Sequence, residues 1–399
     1  MRQASFRAVL DQIPADALRG ALDRVNTAEV RRAMALGPRA SLEQAAALFA
    51  PAAGEHLEEL AQLAHRVTVQ RFGRVIQLYA PLYLSNECVN ICHYCGFSAA
   101  NQIPRVTLTP EQVEAEAGLL LNQGFRHLLL VSGEHPRWVP PAYLIECVRR
   151  LHARAASLAI EVGPLDTDDY APIVAAGAEG LVLYQETYHP ATYAEMHPRG
   201  PKRHFDHRLA APERAAAAGF RRLGIGFLIG LADWRREAIC LLAHARFLMR
   251  HWWRAQIAIS FPRLRPAAGE FEPPLPIGDR DLVQLITGLR ILLPEAGLNL
   301  STRESAALRD RLLPLGITWM SAGSRTEPGG YSNPRHDREQ FAIADERPPH
   351  VVAERIRQLG YEPVWKDWDS ALSGPAAGSG AAEPHVPCRA IPHELSVSA

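Results

Sequence analysis

Val75–Ser98 reads VIQLYAPLYLSNECVNICHYCGFS: an apolar, β-branched and aromatic run that stops abruptly at three cysteines. The first part, Val75–Leu84, has strand character. Cys88, Cys92 and Cys95 follow with the spacing C-x3-C-x2-C, and no fourth cysteine lies nearby. A cubane [4Fe–4S] cluster usually takes four thiolates. Three leave one iron without a protein ligand, free to hold a substrate or cofactor. A strand that empties into such a loop places chemistry at the strand's C-terminal end.

The same pattern repeats outward. Further short strand-like runs are His127–Val131, Ala159–Val162, Leu181–Tyr184, Leu223–Ile229, Gln256–Ser260, Leu298–Leu300 and Ile317–Met320. Between them stand helix-like segments: Pro110–Asn122, Pro141–Ala155, Asp168–Ala176, Pro212–Ala218, Arg235–His251, Asp279–Leu293 and Glu304–Leu313, with Pro349–Leu359 after the last strand. Several open with Pro in the first turn and several close at Gly, as helix ends prefer. Strict alternation implies an α/β protein with a parallel sheet. Eight repeats predict a closed TIM-type (βα)8 barrel over residues 74–369. Residues 1–73 read as an N-terminal helical extension, with a capping-box spacing at Ser41 and Gln44. Residues 370–399, rich in Gly, Ala, Pro and Ser, are expected to be disordered.

Composition narrows the function class. The 399 residues hold 43 Lys plus Arg against 43 Asp plus Glu, so no global field favours nucleic acid or an acidic membrane. Hydrophobic residues make up 47% and charged residues 22%, enough for a sizeable core. No apolar run is long enough to span a bilayer and the first residues lack a signal-peptide core. Cys147 and Cys240 fall in apolar helical patterns and read as buried thiols, and Cys388 stands alone in the tail. A reducing cytoplasm and a small-molecule substrate are the expectation.

Barrel enzymes carry their active sites at the C-terminal ends of the strands. The polar clusters fall there: Ser132-Gly133-Glu134 after the second strand, Glu161 at the third, Tyr184-Gln185-Glu186 at the fourth, Gly224 and Gly226 in the fifth, Arg263-Leu264-Arg265 after the sixth and Arg303-Glu304 after the seventh. Each has a plainer reading. The cysteines could bind zinc with His93, although structural zinc usually draws two separated ligand pairs. Gly224 and Gly226 could only permit tight packing. The run STRES favours an N-cap at Ser301 or Thr302. Trp252 and Trp253 read as packing residues, and His244 and His251 as ordinary helix residues.

C-x3-C-x2-C with an aromatic before the last cysteine, here Tyr94, resembles the radical S-adenosylmethionine (SAM) superfamily. The resemblance implies that Cys88, Cys92 and Cys95 hold a [4Fe–4S] cluster whose open iron chelates SAM. Ser132-Gly133-Glu134 resembles the superfamily's Gly-Gly-Glu element for the methionine amino group, with Ser in place of the first Gly. By the same resemblance Gln185 and Glu186 lie where ribose contacts are found, Arg208 where an arginine meets the SAM carboxylate, and Gly224 to Gly230 beside adenine.

Seven runs carry the likeness further: LYLSNECVNICHYCGFS, LLLVSGE, YQETYHPATY, SFPRLRPA, LSTRES, SAGSRTEPGGY and PVWKDWDS. They resemble the 2-iminoacetate synthases, the tyrosine lyases of thiamine biosynthesis. What this implies is reductive SAM cleavage to a 5′-deoxyadenosyl radical, hydrogen abstraction from the amino group of L-tyrosine, and Cα–Cβ scission to 2-iminoacetate (dehydroglycine) and p-cresol. It also implies an electron donor such as flavodoxin or ferredoxin, and thiazole synthase as partner. An amino-acid substrate needs its carboxylate held, which a guanidinium does bidentately. Arg303 is the first candidate and Arg265 the second. Glu161 and Glu186 are candidates for proton movement. The related tyrosine lyase of [FeFe]-hydrogenase maturation carries a second, C-terminal cysteine cluster, for which this chain has only Cys388. A tryptophan lyase is the other alternative.

Overall fold

The computed structural model describes residues 5–13 and 15–365; the expectation for residues 370–399 lies outside these. Nine strands form one parallel sheet: β1 Val75–Ser85, β2 His127–Ser132, β3 Ser157–Glu161, β4 Gly180–Val182, β5 Arg222–Gly226, β6 Gln256–Ser260, β7 Gly297–Leu300, β8 Trp319–Ser321 and β9 Glu362–Val364. Strands β1 to β8 neighbour one another in sequence order, and β1 pairs with both β2 and β8, which closes an eight-stranded barrel. Register runs Leu82 to Leu130 across β1–β2 and Leu78 to Met320 across β1–β8.

The barrel agrees with the alternation read from sequence, with physical reasons for the shifted ends. Residues past β4 still bond to the neighbouring strand, Leu183 N–H to Gly224 O at 2.8 Å and Gln185 N–H to Gly226 O at 3.0 Å. Glu186 then takes a positive φ of 71°, a conformation rare outside glycine, and breaks the extended run. The helix expected over Glu304–Leu313 is Ala306–Leu312, and its N-cap is Ser305, whose side chain accepts the Leu308 N–H at 3.4 Å. Ser301 and Thr302 do not cap it: Glu304 is drawn instead into a salt bridge with Arg263. The sequence reading missed β9; among the described residues it pairs only with β1, an edge position that tolerates its Pro363.

Before β1 the chain is helical, ending in the long helix Leu57–Phe72. Ser41 and Gln44 form the reciprocal capping box their spacing predicts, with bonds of 3.2 and 3.0 Å. These helices pack on the barrel's outer layer. The amide of buried Gln284 donates to Leu48 O at 3.0 Å and Ala50 O at 2.9 Å. Gly288 lets Phe49 approach, since a Cβ there would stand 2.8 Å from the ring. Cys147, Cys240 and His244 are buried, and Trp252 packs at the core's margin. Trp253 does not pack: it is 75% exposed.

Candidate active site

The cysteine loop has little regular structure, so side chains hold it. Arg105 donates to four backbone carbonyls, Asn86 and Phe97 from one guanidinium nitrogen and Ser98 and Asn101 from the other, at 2.6 to 3.1 Å. Asn90 ties the loop outward, donating to Glu134 Oε2 at 2.7 Å and accepting the Lys202 N–H at 2.8 Å. Gly133 is required: a Cβ there would stand 2.2 Å from Glu87 O. Gly96 likewise presses against the backbone of Glu339 and Gln340.

The three thiols line one lobe of a cavity, about 580 Å³, with Ser132, Gly133 and Glu134 on its wall. Asn90 Nδ2 lies 3.7 Å from Cys88 Sγ and Gln340 Nε2 3.8 Å from Cys95 Sγ. Burial pushes the Cys92 and Cys95 thiols up, with Lys202 opposing; a bound iron would reverse this, because a metal deprotonates its thiol ligand. Among the described residues, no three His, Cys, Asp or Glu side chains converge on a single metal ion, and His93 is exposed. Three thiols lining one cavity are the donor set that a cubane with one open iron takes.

At the far wall of this lobe Glu186 is clamped by Lys202 at 2.7 Å and Arg208 at 3.0 Å. Burial would raise its carboxyl, but the two cations outweigh it and hold the group down at about 2. Arg208 also donates to Tyr184 O at 2.7 Å. Tyr94 is buried, its hydroxyl 2.7 Å from His197 Nε2, and Lys202 Nζ lies 5.5 Å from its ring. Gln185 is buried with its Nε2 unpartnered by protein groups, and does not line the lobe. Nor do Gly224 and Gly226: a Cβ on Gly226 would meet Ser260 O at 2.3 Å, and Gly224 borders a separate space deeper in the barrel.

A second lobe, about 750 Å³, fills the upper barrel and shares Glu161, Tyr184 and Gln340 with the first. Arg303 lines it, its guanidinium 3.4 Å from the centroid of the Phe341 ring. Desolvation lowers the Arg303 pKa, opposed by Tyr83, Tyr184 and Glu161, but a guanidinium stays charged. Glu161 sits where the lobes meet. Burial, then the charge of Glu186, pushes its carboxyl up to about 7. Arg265 lies outside both lobes, half-buried, and its neighbour Leu264 borders the junction instead. Arg263 is spent on Glu304 and Asp279.

The sequence reading missed Lys202 and Gln340. Lys202 lies in a short 3-10 turn, Pro201–Arg203, inside the long β4–β5 connection. Gln340, which also accepts the Tyr83 hydroxyl at 2.8 Å, comes from an irregular segment after β8. Neither sits in a spaced motif; only the fold brings them to the cysteines.

Comparison with known proteins settles the family. Residues 82–243 match the radical SAM superfamily and residues 260–362 the biotin and thiamin synthesis associated domain. The chain is 44% identical over 362 residues to the 2-iminoacetate synthase of Escherichia coli K12, covering 90% of this chain and 96% of that one. It is 42% identical over the same span to the 2-iminoacetate synthase of Salmonella typhimurium. The chain belongs to the 2-iminoacetate synthase family. As a radical SAM family member its cofactors are a [4Fe–4S] cluster and SAM. The [FeFe]-hydrogenase maturase HydG of Carboxydothermus hydrogenoformans has the same fold, with a TM-score of 0.84 and 33% identity over 91% of this chain and 86% of that one.

Proposed function

We propose that this chain cleaves the Cα–Cβ bond of L-tyrosine to 2-iminoacetate and p-cresol, and that the imine feeds thiazole formation in thiamine biosynthesis. The observation that carries this reading is the 44% identity to a 2-iminoacetate synthase over 90% of the chain. When bound, the cluster and SAM supply reductive cleavage to an organic radical that takes a hydrogen atom from the substrate.

The protein's own residues supply position and protons. Lys202 and Arg208 are both committed to Glu186, which keeps a compact charged wall around the SAM lobe. The Ser132-Gly133-Glu134 turn would hold the methionine amino group of SAM, and Arg208, beside Glu186, would hold its carboxylate. Gln185, Gly224 and Gly226 act through the backbone that supports that wall. Tyr94 acts by fixing the loop through His197. In the upper lobe Arg303, braced on Phe341, takes the tyrosine carboxylate bidentately. Arg265, off the lobe, is left without that role. Glu161 accepts the ammonium proton, which requires its ionised form. The lobe's enclosure keeps water from the reacting atoms.

Among the described residues no helix is long and apolar enough to cross a membrane. A reducing cytoplasm suits the cluster, and a one-electron donor such as flavodoxin or ferredoxin suits its reduction. The imine hydrolyses in water, which supports direct hand-over to thiazole synthase. Substrate choice is tested by incubating anaerobically reconstituted enzyme with tyrosine or tryptophan. We expect p-cresol from tyrosine and no indole product from tryptophan; the reverse would replace this reading with a tryptophan lyase.

A further inference from the structure

Tyr79, Leu129, Tyr184 and Asn299 line the upper lobe and also a second cavity beneath it, about 530 Å³, at the opposite end of the barrel. The lower half of such a barrel is normally filled by Val, Ile and Leu side chains from alternate strands. Here the sequence supplies small residues at neighbouring positions: Ala159 pairs with Gly180 across β3–β4, and Gly224 with Ala258 across β5–β6. All four border the cavity.

Small residues alone would mark only a loosely packed core. His127 adds the second observation. It is the first residue of β2, is 3% exposed, and lines the cavity, yet neither ring nitrogen finds a partner among the protein's own groups. Buried polar groups in native proteins are ordinarily paired. Its ring packs edge-on against Trp319 at 5.2 Å, so its polar atoms are not turned away into solvent. Among the described residues the one cation at the cavity is Arg222, which is already neutralised by Glu179, donates to Ser157 Oγ at 2.7 Å, and lies 4.9 Å from the Trp319 ring. It closes the N-terminal mouth without leaving spare charge.

We propose that the lower barrel is a binding site for a small neutral phenol, whose ring fills the space left by the small residues and whose hydroxyl bonds to His127. Among the described residues no unpaired charge faces the cavity, and burial with Arg222 nearby holds His127 neutral, its pKa pushed down to about 3. A neutral imidazole offers one acceptor and one donor, which a phenolic hydroxyl meets with its own donor or its own acceptor. The reaction proposed above breaks tyrosine into a polar imine and an aryl fragment, and the phenol site is for the latter; this choice of ligand rests on that reading. A product held beneath the active lobe leaves the lobe free for the next tyrosine.

The test uses reconstituted enzyme without SAM, so no turnover is needed. Calorimetric titration with p-cresol and toluene separates hydroxyl recognition from ring burial. We expect p-cresol to bind at least tenfold tighter than toluene, with tyrosine failing to displace it. His127→Leu should abolish the preference between the two probes, and Ala258→Leu should weaken both. Crystals of unaltered enzyme soaked in 4-bromophenol locate the ligand by bromine scattering, which guards against variants that misfold. Bromine between His127 and Ala258 supports the site. Bromine in the upper lobe, displacement by tyrosine, or equal binding of the two probes would overturn it. If tyrosine is not cleaved but phenol binds at His127, the functional reading falls and the site stands.

Discussion

The Arg303 guanidinium, stacked on Phe341, lines the upper lobe with Glu161, and the proposed function gives it the carboxylate of the amino-acid substrate. Hydrogen bonds to charged groups contribute about 1.5–3 kcal/mol. Arg303→Ala should therefore lower kcat/KM for tyrosine by roughly 10- to 150-fold on that scale, while iron content and SAM binding stay intact. Steady-state kinetics beside iron and SAM-binding assays check this; unchanged tyrosine turnover would remove Arg303 from the site. Glu161 gives a second expectation. With its carboxyl pushed up to about 7, it is protonated below that pH and cannot take the ammonium proton. kcat/KM for tyrosine should rise as pH increases through 7, and Glu161→Gln should be slow with that rise gone. An identical pH profile in the variant would contradict the role. The contrast between Glu161 and Glu186 was not legible in sequence. Both stand at strand ends, but only packing shows that Lys202 and Arg208 pair with one and leave the other to desolvation.

At the scale of elements, the turn after β2 and the cysteine loop are one unit. Gly133 N–H donates to Ser85 O at 2.9 Å, and Val89 N–H donates to Glu134 O at 2.9 Å. Gly133→Ala would drive a methyl into the Glu87 carbonyl, a backbone group that cannot swing aside. The expected outcome is a folded barrel that loses most of its iron after reconstitution, read by iron analysis and circular dichroism. Full iron retention would show that the loop is anchored elsewhere. The β4–β5 connection is held differently. Buried Glu237, on the helix Trp234–His251, accepts the Thr187 hydroxyl at 3.0 Å and the Tyr188 N–H at 2.7 Å. Burial raises its carboxyl to about 7, so the folded chain keeps a proton that the unfolded chain releases near 4.5. Stability from this group is full below the unfolded value and is lost as pH rises through 7, by roughly 3 kcal/mol in all. In denaturant titrations of apo-protein from pH 5 to 8, Glu237→Gln should flatten that decline; an unchanged slope would assign it to another group.

Across the whole molecule, the barrel was legible because strand and helix periods alternate eight times, and because the cysteines, carboxylates and arginines all fall at one set of strand ends. The cysteine triad was legible because its spacing is local. What escaped has the opposite character. Lys202 and Gln340 reach the site from irregular segments, and β9 is three residues long with a proline. Arg265 stood second to Arg303 in sequence, and Arg303 sits inside the lobe while Arg265 lies outside it, a difference set by the path of the chain after β6. The central claim concerns what the assembled site does, and stoichiometry tests it most directly. Anaerobically reconstituted enzyme, given SAM, reductant and tyrosine, should form p-cresol and glyoxylate (the hydrolysis product of the imine) in equal amounts, each matching the 5′-deoxyadenosine produced. Formation of 5′-deoxyadenosine with no p-cresol, or with tyrosine recovered intact, would contradict the account.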